Sequence, residues 1–471
     1  MAIEFYSWGA ALEVTGSKHF LRTSESCVQV DCGIFQGRRQ ETDQKNREFP
    51  YDATTVDACV LTHGHLDHCG NLPSLVNHGF KGPIYCTPAT LDIARLILMD
   101  SAHIQEMDAR FAKKLAKKQR RRGGFIAEPL YTLADVERTL KQFQTMPYGE
   151  EREVAPGMTL SFSDAGHILG SAMPLFHVRN GKEERRILFS GDLGRKGLPI
   201  LRDPHFPEKT PDVFVCESTY GNRLHEDILN AKEELGRIVR ETSANGGKVI
   251  IPAFAVERTQ ELIFFLHLLS DEGKIPDIPV FVDSPMAVRA TQIFRNHPDC
   301  YDEETRQAFS DHHENPFGFE RLTLVREVEE SKKLNALHGP AIIISASGMA
   351  EAGRILHHLM NHIGNHRNTV LIVGYMAEHT LGRRLAEGKT KVKIFGDEYD
   401  VRAQVKVMNE FSAHADYQEI LDFIEPYDRE TLRQILLVHG EEEAQTHMRE
   451  ELTNAGFGQV DSVQYGETYL I

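Results

Sequence analysis

A layered α/β architecture in two parts is predicted for this 471-residue chain. Three features predict it: short β-rich runs that end on acidic or imidazole side chains, a central stretch of regular strand–helix alternation, and length. Single cores stop growing at about 250–300 residues, so a longer chain divides into domains. Apolar runs with little polar interruption read as strands covered on both faces, which calls for helices packed over sheets. In such sheets the functional site gathers where strands end.

Taken in order, SCVQVDCG ends at Asp31, VDACVLTHGH at His63, RRILFSGD at Asp192, PDVFVCEST at Glu217 and QILLVHGE at His439. From about residue 208 to 400 the pattern becomes a βαβ series. It runs VFVCES, helix EDILNAKEELGRIVRETSA stopped at Asn245-Gly246-Gly247, strand KVIIPAFA, helix ERTQELIFFLHLLSDEG, strand IPVFVDSP, and then AIIISAS and TVLIVGY. Such alternation predicts a second, parallel-sheet domain. Residues 401–471 return to strands ending on histidine or glycine-rich turns. The first domain is therefore expected to comprise 1–207, completed by 401–471, with 208–400 inserted. Proline and glycine crowd residues 197–211, GLPILRDPHFPEKTP, as suits a crossing between domains.

Composition excludes several classes. No apolar run approaches the roughly 18–20 residues that span a bilayer, so no membrane is expected. The N-terminal MAIEFYSWGA has an acidic residue and no apolar core of a secretory signal. The seven cysteines form no CxxC pair, which disfavours disulfides and thiolate zinc and fits a reducing cytoplasm, with the cysteines as small core residues. A net charge of −16 repels polyanions at long range, so a nucleic-acid partner needs a local patch. RFAKKLAKKQRRR, Arg110 to Arg122, carries eight basic residues in thirteen at helix-compatible spacing and reads equally as such a patch or as a solvated helix face.

The chemistry concentrates in LTHGHLDHCG. His63 and His65 fall on one side of a turn, while Asp67 and His68 reach a second point, so one loop can serve two metals. Nitrogen and oxygen donors without thiolate suit catalytic zinc. Further donors lie at other strand ends: His167 in SDAGHILGSA, Asp192 in FSGDLG and His439 in LLVHGEE. Asp192 is placed to bridge two ions, and Asp31 to support the loops by hydrogen bonds.

These motifs resemble those of the metallo-β-lactamase superfamily. GAALEVTGS, DCGIFQG, ESTYGNRLH, PAFAVERTQE, SASGMAEAGRILHHL, FSAHADY and LVHGE extend the likeness, in order, over nearly the whole chain to the β-CASP branch. That branch includes the endonuclease subunit of the cleavage and polyadenylation specificity factor and its prokaryotic relatives. The resemblance implies a metallo-β-lactamase αββα sandwich with an inserted β-CASP domain on a mainly parallel sheet. It implies two zinc ions, one held by His63, His65 and His167, the other by Asp67, His68 and His439, with Asp192 shared. It also implies an acidic motif at Glu217 and a histidine motif at His414. A histidine at position 439 is implied to favour RNA over DNA, and a homodimer is compatible with the prokaryotic members.

The implied reaction is hydrolysis of single-stranded RNA by a metal-bridging hydroxide, with Asp67 orienting it. His414 serves as general acid, Glu217 holds its ring, and the products carry 5'-phosphate and 3'-hydroxyl ends. The sequence shows no additional C-terminal domain of the kind usual in the exonucleolytic relatives, so endonuclease is expected ahead of 5'-to-3' exoribonuclease. An ester or thioester hydrolase of the same fold would need neither the insertion nor His414, and a scaffolding relative would have lost ligands. Ser347, Gly348 and Met349 are expected to offer backbone N–H groups to a phosphate at a helix N-terminus, with Arg258 as a second phosphate contact. Glu257 and His379 stand where the family commonly has glycine.

Overall fold

The computed structural model describes residues 2–37, 39–118, 128–225, 228–312, 317–374, 376, 379–408 and 412–471. Two compact units emerge: Met1–Lys196 with Asp203–Leu224 and His414–Ile471, and Gly197–Arg202 with His225–Ala413.

The first unit holds two seven-stranded sheets. One runs Thr468–Leu470, Glu4–Ser7, His19–Arg22, Cys27–Val30, Ala58–Val60, Ile84–Cys86 and Phe143–Thr145; the other runs Gln459–Ser462, Gln434–Val438, Val213–Glu217, Glu183–Phe189, Ala172–Asn180, Met158–Asp164 and Arg152–Ala155. Alternation along the strands sends successive side chains to opposite faces. Phe5, Val28, Val30 and Val60 of the first sheet meet Phe176, Phe189, Val215 and Val438 of the second in an inner layer. Their neighbours point outwards: Tyr6, Cys27 and Cys59 pack under helical Leu72, Leu75, Ala94 and Leu98, and Phe214, Cys216 and Leu437 under helical Ile420, Phe423 and Met448. Each fully buried aliphatic or aromatic side chain contributes about 1.5–3 kcal/mol, and three apolar layers between four layers of secondary structure make the αββα sandwich expected. All seven cysteines are buried and free.

The second unit is built on a six-stranded sheet in the order Leu322–Val325, Val280–Asp283, Ala341–Ser345, Lys248–Pro252, Thr369–Val373 and Gln404–Met408, in which every pairing is parallel. Its helices Ile228–Ala244, Arg258–Asp271, Pro285–Asn296 and Arg354–His362 follow the strands as the alternating pattern predicts.

Two strands lie on the other side of the expected boundaries. Val213–Glu217, read as opening the insertion, pairs in parallel with Glu183–Phe189 and Gln434–Val438 of the first unit. Gln404–Met408, assigned to the returning segment, pairs with Thr369–Val373 of the second. Val213–Glu217 is a fully buried strand that suits the centre of either sheet, and Gln404–Met408 is a half-exposed strand at a sheet edge; in neither do the residues themselves name the partner. The break therefore falls after Leu224 and before His414 rather than at 207 and 401. Of the basic run, residues up to Lys118 extend the helix Pro88–Lys118, and 119–122 lie outside the described residues. No helix among the described residues is long and apolar enough to cross a membrane.

Candidate metal centre

The strand Ala58–Val60 ends three residues before His63, and the chain turns at Gly64. A Cβ there would fall 2.4 Å from the Ile93 side chain, so only glycine fits. His65 then caps the short helix Leu66–Cys69, which carries Asp67 and His68. The preceding loop clamps this helix from below: Ser17 N–H donates to the Asp67 carbonyl at 2.9 Å and Cys32 N–H to the His68 carbonyl at 2.7 Å. Gly33 packs so close that a Cβ would lie 1.5 Å from that Asp67 oxygen. Donor side chains are thus held by backbone contacts before any ion arrives.

Two donor groups converge within this unit. His63, His65, His167 and Asp192 bring ligand atoms within 4.8 Å of one another, and so do Asp67, His68 and His439. His63 Nε2 stands 3.0 Å from His65 Nδ1, and His167 Nε2 3.3 Å from the same atom. Asp192 lies between the groups, with Oδ2 at 3.5 Å from both His63 Nε2 and His167 Nε2. Its Oδ1 is 3.2 Å from His68 Nε2 and 3.5 Å from His439 Nδ1. His414 approaches from the far side, its Nδ1 at 3.1 and 3.2 Å from the Glu217 carboxylate oxygens and 4.0 Å from Asp192 Oδ2.

Beneath the donors lies a layer of hydrogen bonds. Asp31 accepts from Thr62 N–H at 2.8 Å, from Thr62 Oγ1 at 2.9 Å and from His68 Nδ1 at 2.7 Å. This fixes the His68 proton on Nδ1 and turns Nε2 towards the pocket. Thr62 Oγ1 also meets His63 Nδ1 at 3.0 Å. On the opposite wall Thr219 Oγ1 donates to Glu217 Oε2 at 2.5 Å and lies 3.0 Å from His439 Nδ1. Sequence reasoning missed both threonines; their signal is proximity at a strand end, Thr62 directly before His63 in LTHGH and Thr219 two residues after Glu217 in ESTYG. Asp31 and His439 take left-handed backbones, φ 61° and 50°, a conformation that costs a non-glycine residue about 1–3 kcal/mol and collects at functional sites.

Protonation follows from burial and neighbours. Burial and the nearby His68 charge hold His63 well below the usual imidazole range, and burial holds His65 down to about 4. Burial alone would raise the carboxyls, but the hydrogen bond from His439 and the charge of His68 bring Asp67 to about 2. The His439, His68 and His63 charges bring Asp192 well below its ordinary value. Neutral imidazole and ionised carboxylate are the states that bind metal. His68 goes the other way: burial lowers it, but the Asp192 and Asp31 carboxylates raise it well above 6.5, so a proton occupies it when no cation is present. His414, lowered by burial but raised more strongly by Glu217, reaches about 9.

The residues fit divalent cations on their own evidence. Asp192 Oδ1 is buried and accepts no hydrogen bond among the described residues, although two ring nitrogens stand within 3.5 Å. A buried carboxylate oxygen whose nearest groups are ring nitrogens needs positive charge beside it, supplied by protonated His68 or by a cation in its place, and the all-nitrogen-and-oxygen donor set suits zinc.

Comparison with known proteins agrees. Residues 17–237 match the metallo-β-lactamase superfamily, 259–385 the Beta-Casp domain and 398–462 the Zn-dependent metallo-hydrolase RNA specificity domain. Ribonuclease TTHA0252 of Thermus thermophilus is 37% identical over 436 residues, covering 93% of each chain. This chain belongs to the β-CASP family of the metallo-β-lactamase superfamily. As a member it is a metal-dependent hydrolase. The transcription termination factor FttA of Methanosarcina mazei is 31% identical over 451 residues, 93% of this chain, which spans 66% of that relative's length. A crystal structure of a protein of unknown function from Enterococcus faecalis shares the fold, with a TM-score of 0.55 at 10% identity over 100% of both chains.

The β-CASP residues expected to meet phosphate are arranged differently from the expectation. Ser347, Gly348 and Met349 do not open a helix; Arg354–His362 begins seven residues after Ser347, with Gly353 as its N-cap. Ser347 closes an intervening turn instead, donating its N–H to the Ala352 carbonyl at 3.2 Å and accepting Glu351 and Ala352 N–H groups on Oγ. Left-handed Ala350 and Gly353, φ 57° and 82°, keep the helix-forming AEA from winding. Arg258 does begin a helix, but it is buried and its guanidinium is paired with Glu261. Glu257 and His379, the two departures from the family's glycines, both take positive φ, 67° and 66°. At Glu257, ψ is −68° and Arg258 N–H reaches the Val256 carbonyl at 3.0 Å, a positive-φ γ-turn that is rare and strained for a side-chain-bearing residue.

Proposed function

We propose that this β-CASP protein is a zinc-dependent ribonuclease that cuts single-stranded RNA internally and leaves 5'-phosphate and 3'-hydroxyl ends. The observation that carries the reading is the His414–Glu217 pair beside the donor cluster. An imidazole kept protonated next to a carboxylate-bridged donor pair answers the need of phosphodiester cleavage, where an alkoxide must leave, and is superfluous for ester hydrolysis. The ribonuclease relative over 93% of the chain supports RNA as the substrate class.

His63, His65 and His167 would hold one zinc, and Asp67, His68 and His439 the other, with Asp192 common to both. When bound, such a pair supplies Lewis acidity, lowering the pKa of water towards about 7 and neutralising charge on the phosphoryl group. Asp67, kept ionised, is placed to orient the attacking oxygen as well as to hold the cation. Asp31 and Thr62 keep His68 and His63 in the tautomers that face the pocket. With Nδ1 committed to Glu217, His414 delivers the proton on Nε2 to the departing 3'-oxygen, and Glu217 stabilises the imidazolium until then.

The test uses zinc-loaded wild type and His414→Ala on 5'-labelled linear RNA, circular RNA and the matching DNA, with zinc content measured for both proteins. Internal fragments from linear and circular RNA, lost in the variant at unchanged zinc content, are expected. Cleavage of linear but not circular RNA would replace the internal mode with an end-dependent one. No RNA cleavage by loaded wild type would refute the reading.

A further inference from the structure

The β-CASP unit exposes one aromatic ring in a setting that suits a ligand. Strands Lys248–Pro252 and Ala341–Ser345 are adjacent and parallel, with Pro252 paired to Ser345, so their carboxyl ends lie side by side. Phe254 follows the first end and Gly348 the second. A Cβ on Gly348 would fall 2.7–2.9 Å from the Phe254 ring carbons, so the ring rests against glycine backbone. Its own backbone is held in place: the Phe254 carbonyl accepts Thr259 N–H at 3.2 Å and Thr259 Oγ1 at 2.6 Å, and Ala253 N–H donates to the Ser345 carbonyl at 3.1 Å. Yet Phe254 is 44% exposed while Ala253, Ala255 and Val256 beside it are buried. No aromatic ring or cation stacks on it among the described residues.

A phenylalanine placed for the core would be covered. Here the backing is glycine, the chain neighbours Ala253 and Ala255 are small, and the Phe254 carbonyl is pinned by Thr259, which leaves the ring half-exposed on a held backbone. Ligands of parallel α/β sheets bind beyond the carboxyl ends of the strands. A flat apolar face there, with small neighbours and a paired rather than free arginine at Arg258, fits a planar aromatic ligand better than a phosphate.

We propose that Phe254 is a stacking platform for one unpaired base of the RNA. The inference rests on the ribonuclease reading and adds to it a sequence-tolerant contact within the second unit, since every base has a π-face. It gives the family's glycine at 348 a purpose other than phosphate binding: that of backing the ring.

The experiment measures binding of a single-stranded oligoribonucleotide to the full chain in a His414→Ala background, which leaves the RNA intact. Phe254→Ala and Phe254→Leu are expected to weaken binding about 5- to 150-fold, the loss seen when one stacked base goes unsupported. Phe254→Trp should bind as tightly as the parent. Because the chain has a single tryptophan, Trp8, Phe254→Trp also adds a reporter whose fluorescence should be quenched by the oligonucleotide and not by the same strand made fully abasic. Equal affinity across the variants would overturn the platform, as would equal quenching by the abasic strand. Wild-type cleavage is assayed in parallel: its absence refutes the ribonuclease reading, whereas cleavage with affinity indifferent to Phe254 refutes the platform alone.

Discussion

His414 owes its proton chiefly to Glu217, with smaller help from the Asp192 and Asp67 carboxylates. Burial alone would neutralise the ring, and these carboxylates reverse this and raise it to about 9. A general acid works only while protonated, so zinc-loaded cleavage should hold through neutrality and fall as pH rises through about 9. In Glu217→Gln the largest raising charge is gone, so the alkaline limb should move to lower pH, read from kcat/KM against pH; an unmoved limb would assign it to another group. His414→Ala should lower kcat by about 10²–10⁴. Asp31 acts one shell further out, through the Nδ1 of His68. Asn tolerates the left-handed backbone there but offers an amide where a carboxylate is needed, so Asp31→Asn should weaken zinc binding about 10- to 100-fold, measured by competition with a chelator. Retained affinity would show that the tautomer is set elsewhere.

Elements are tied by groups that hydropathy does not reveal. Asp283 ends the strand Val280–Asp283 and accepts from Ser331 on one helix and from Arg354 and His358 on another, at 2.5–2.7 Å. Burial raises its pKa, but the His358, Ser331 and Arg354 hydrogen bonds outweigh that and leave it below 3.8. A carboxyl depressed in the folded state stabilises above its unfolded pKa of about 3.9 and loses that contribution as pH falls through the lower folded value. Asp283→Asn should therefore cost about 3–5 kcal/mol at pH 7, as breaking a buried ion pair does, and progressively less below pH 4, measured by urea unfolding. The same scale shows what the sequence carries. HxHxDH packs four donors into six residues, and strand ends mark the other three, so the convergence of all seven side chains was legible. The sheet that Val213–Glu217 joins was not, because five buried residues fit either centre. Nor was the 346–353 turn, where tertiary contacts overrule the helical propensity of AEA. Thr62 and Thr219 escaped because threonine is too common to stand out without its partners.

At the scale of the molecule, all the proposed zinc donors lie in the first unit. A ligand that binds only the folded state stabilises by about 4 kcal/mol at a thousand times its Kd. Chelation should therefore lower the unfolding temperature of the first unit by several degrees and leave the transition of the second in place, followed by calorimetry with and without added zinc. Movement of both transitions together would mean the units unfold as one.

The donor set is also spread along the chain in a telling way. His68 and His439, 3.3 Å apart in the finished pocket, are separated by 371 residues, and the strand before His439 must slide in beside Val213–Glu217 across the whole insertion. At synthesis rates of about 5–20 residues per second, the last imidazole leaves the ribosome about 20–75 s after the first. Throughout that interval the growing polypeptide sits beside single-stranded message with its pocket incomplete. A nascent chain therefore lacks the His439 imidazole, and with it the complete donor set, until synthesis is nearly finished.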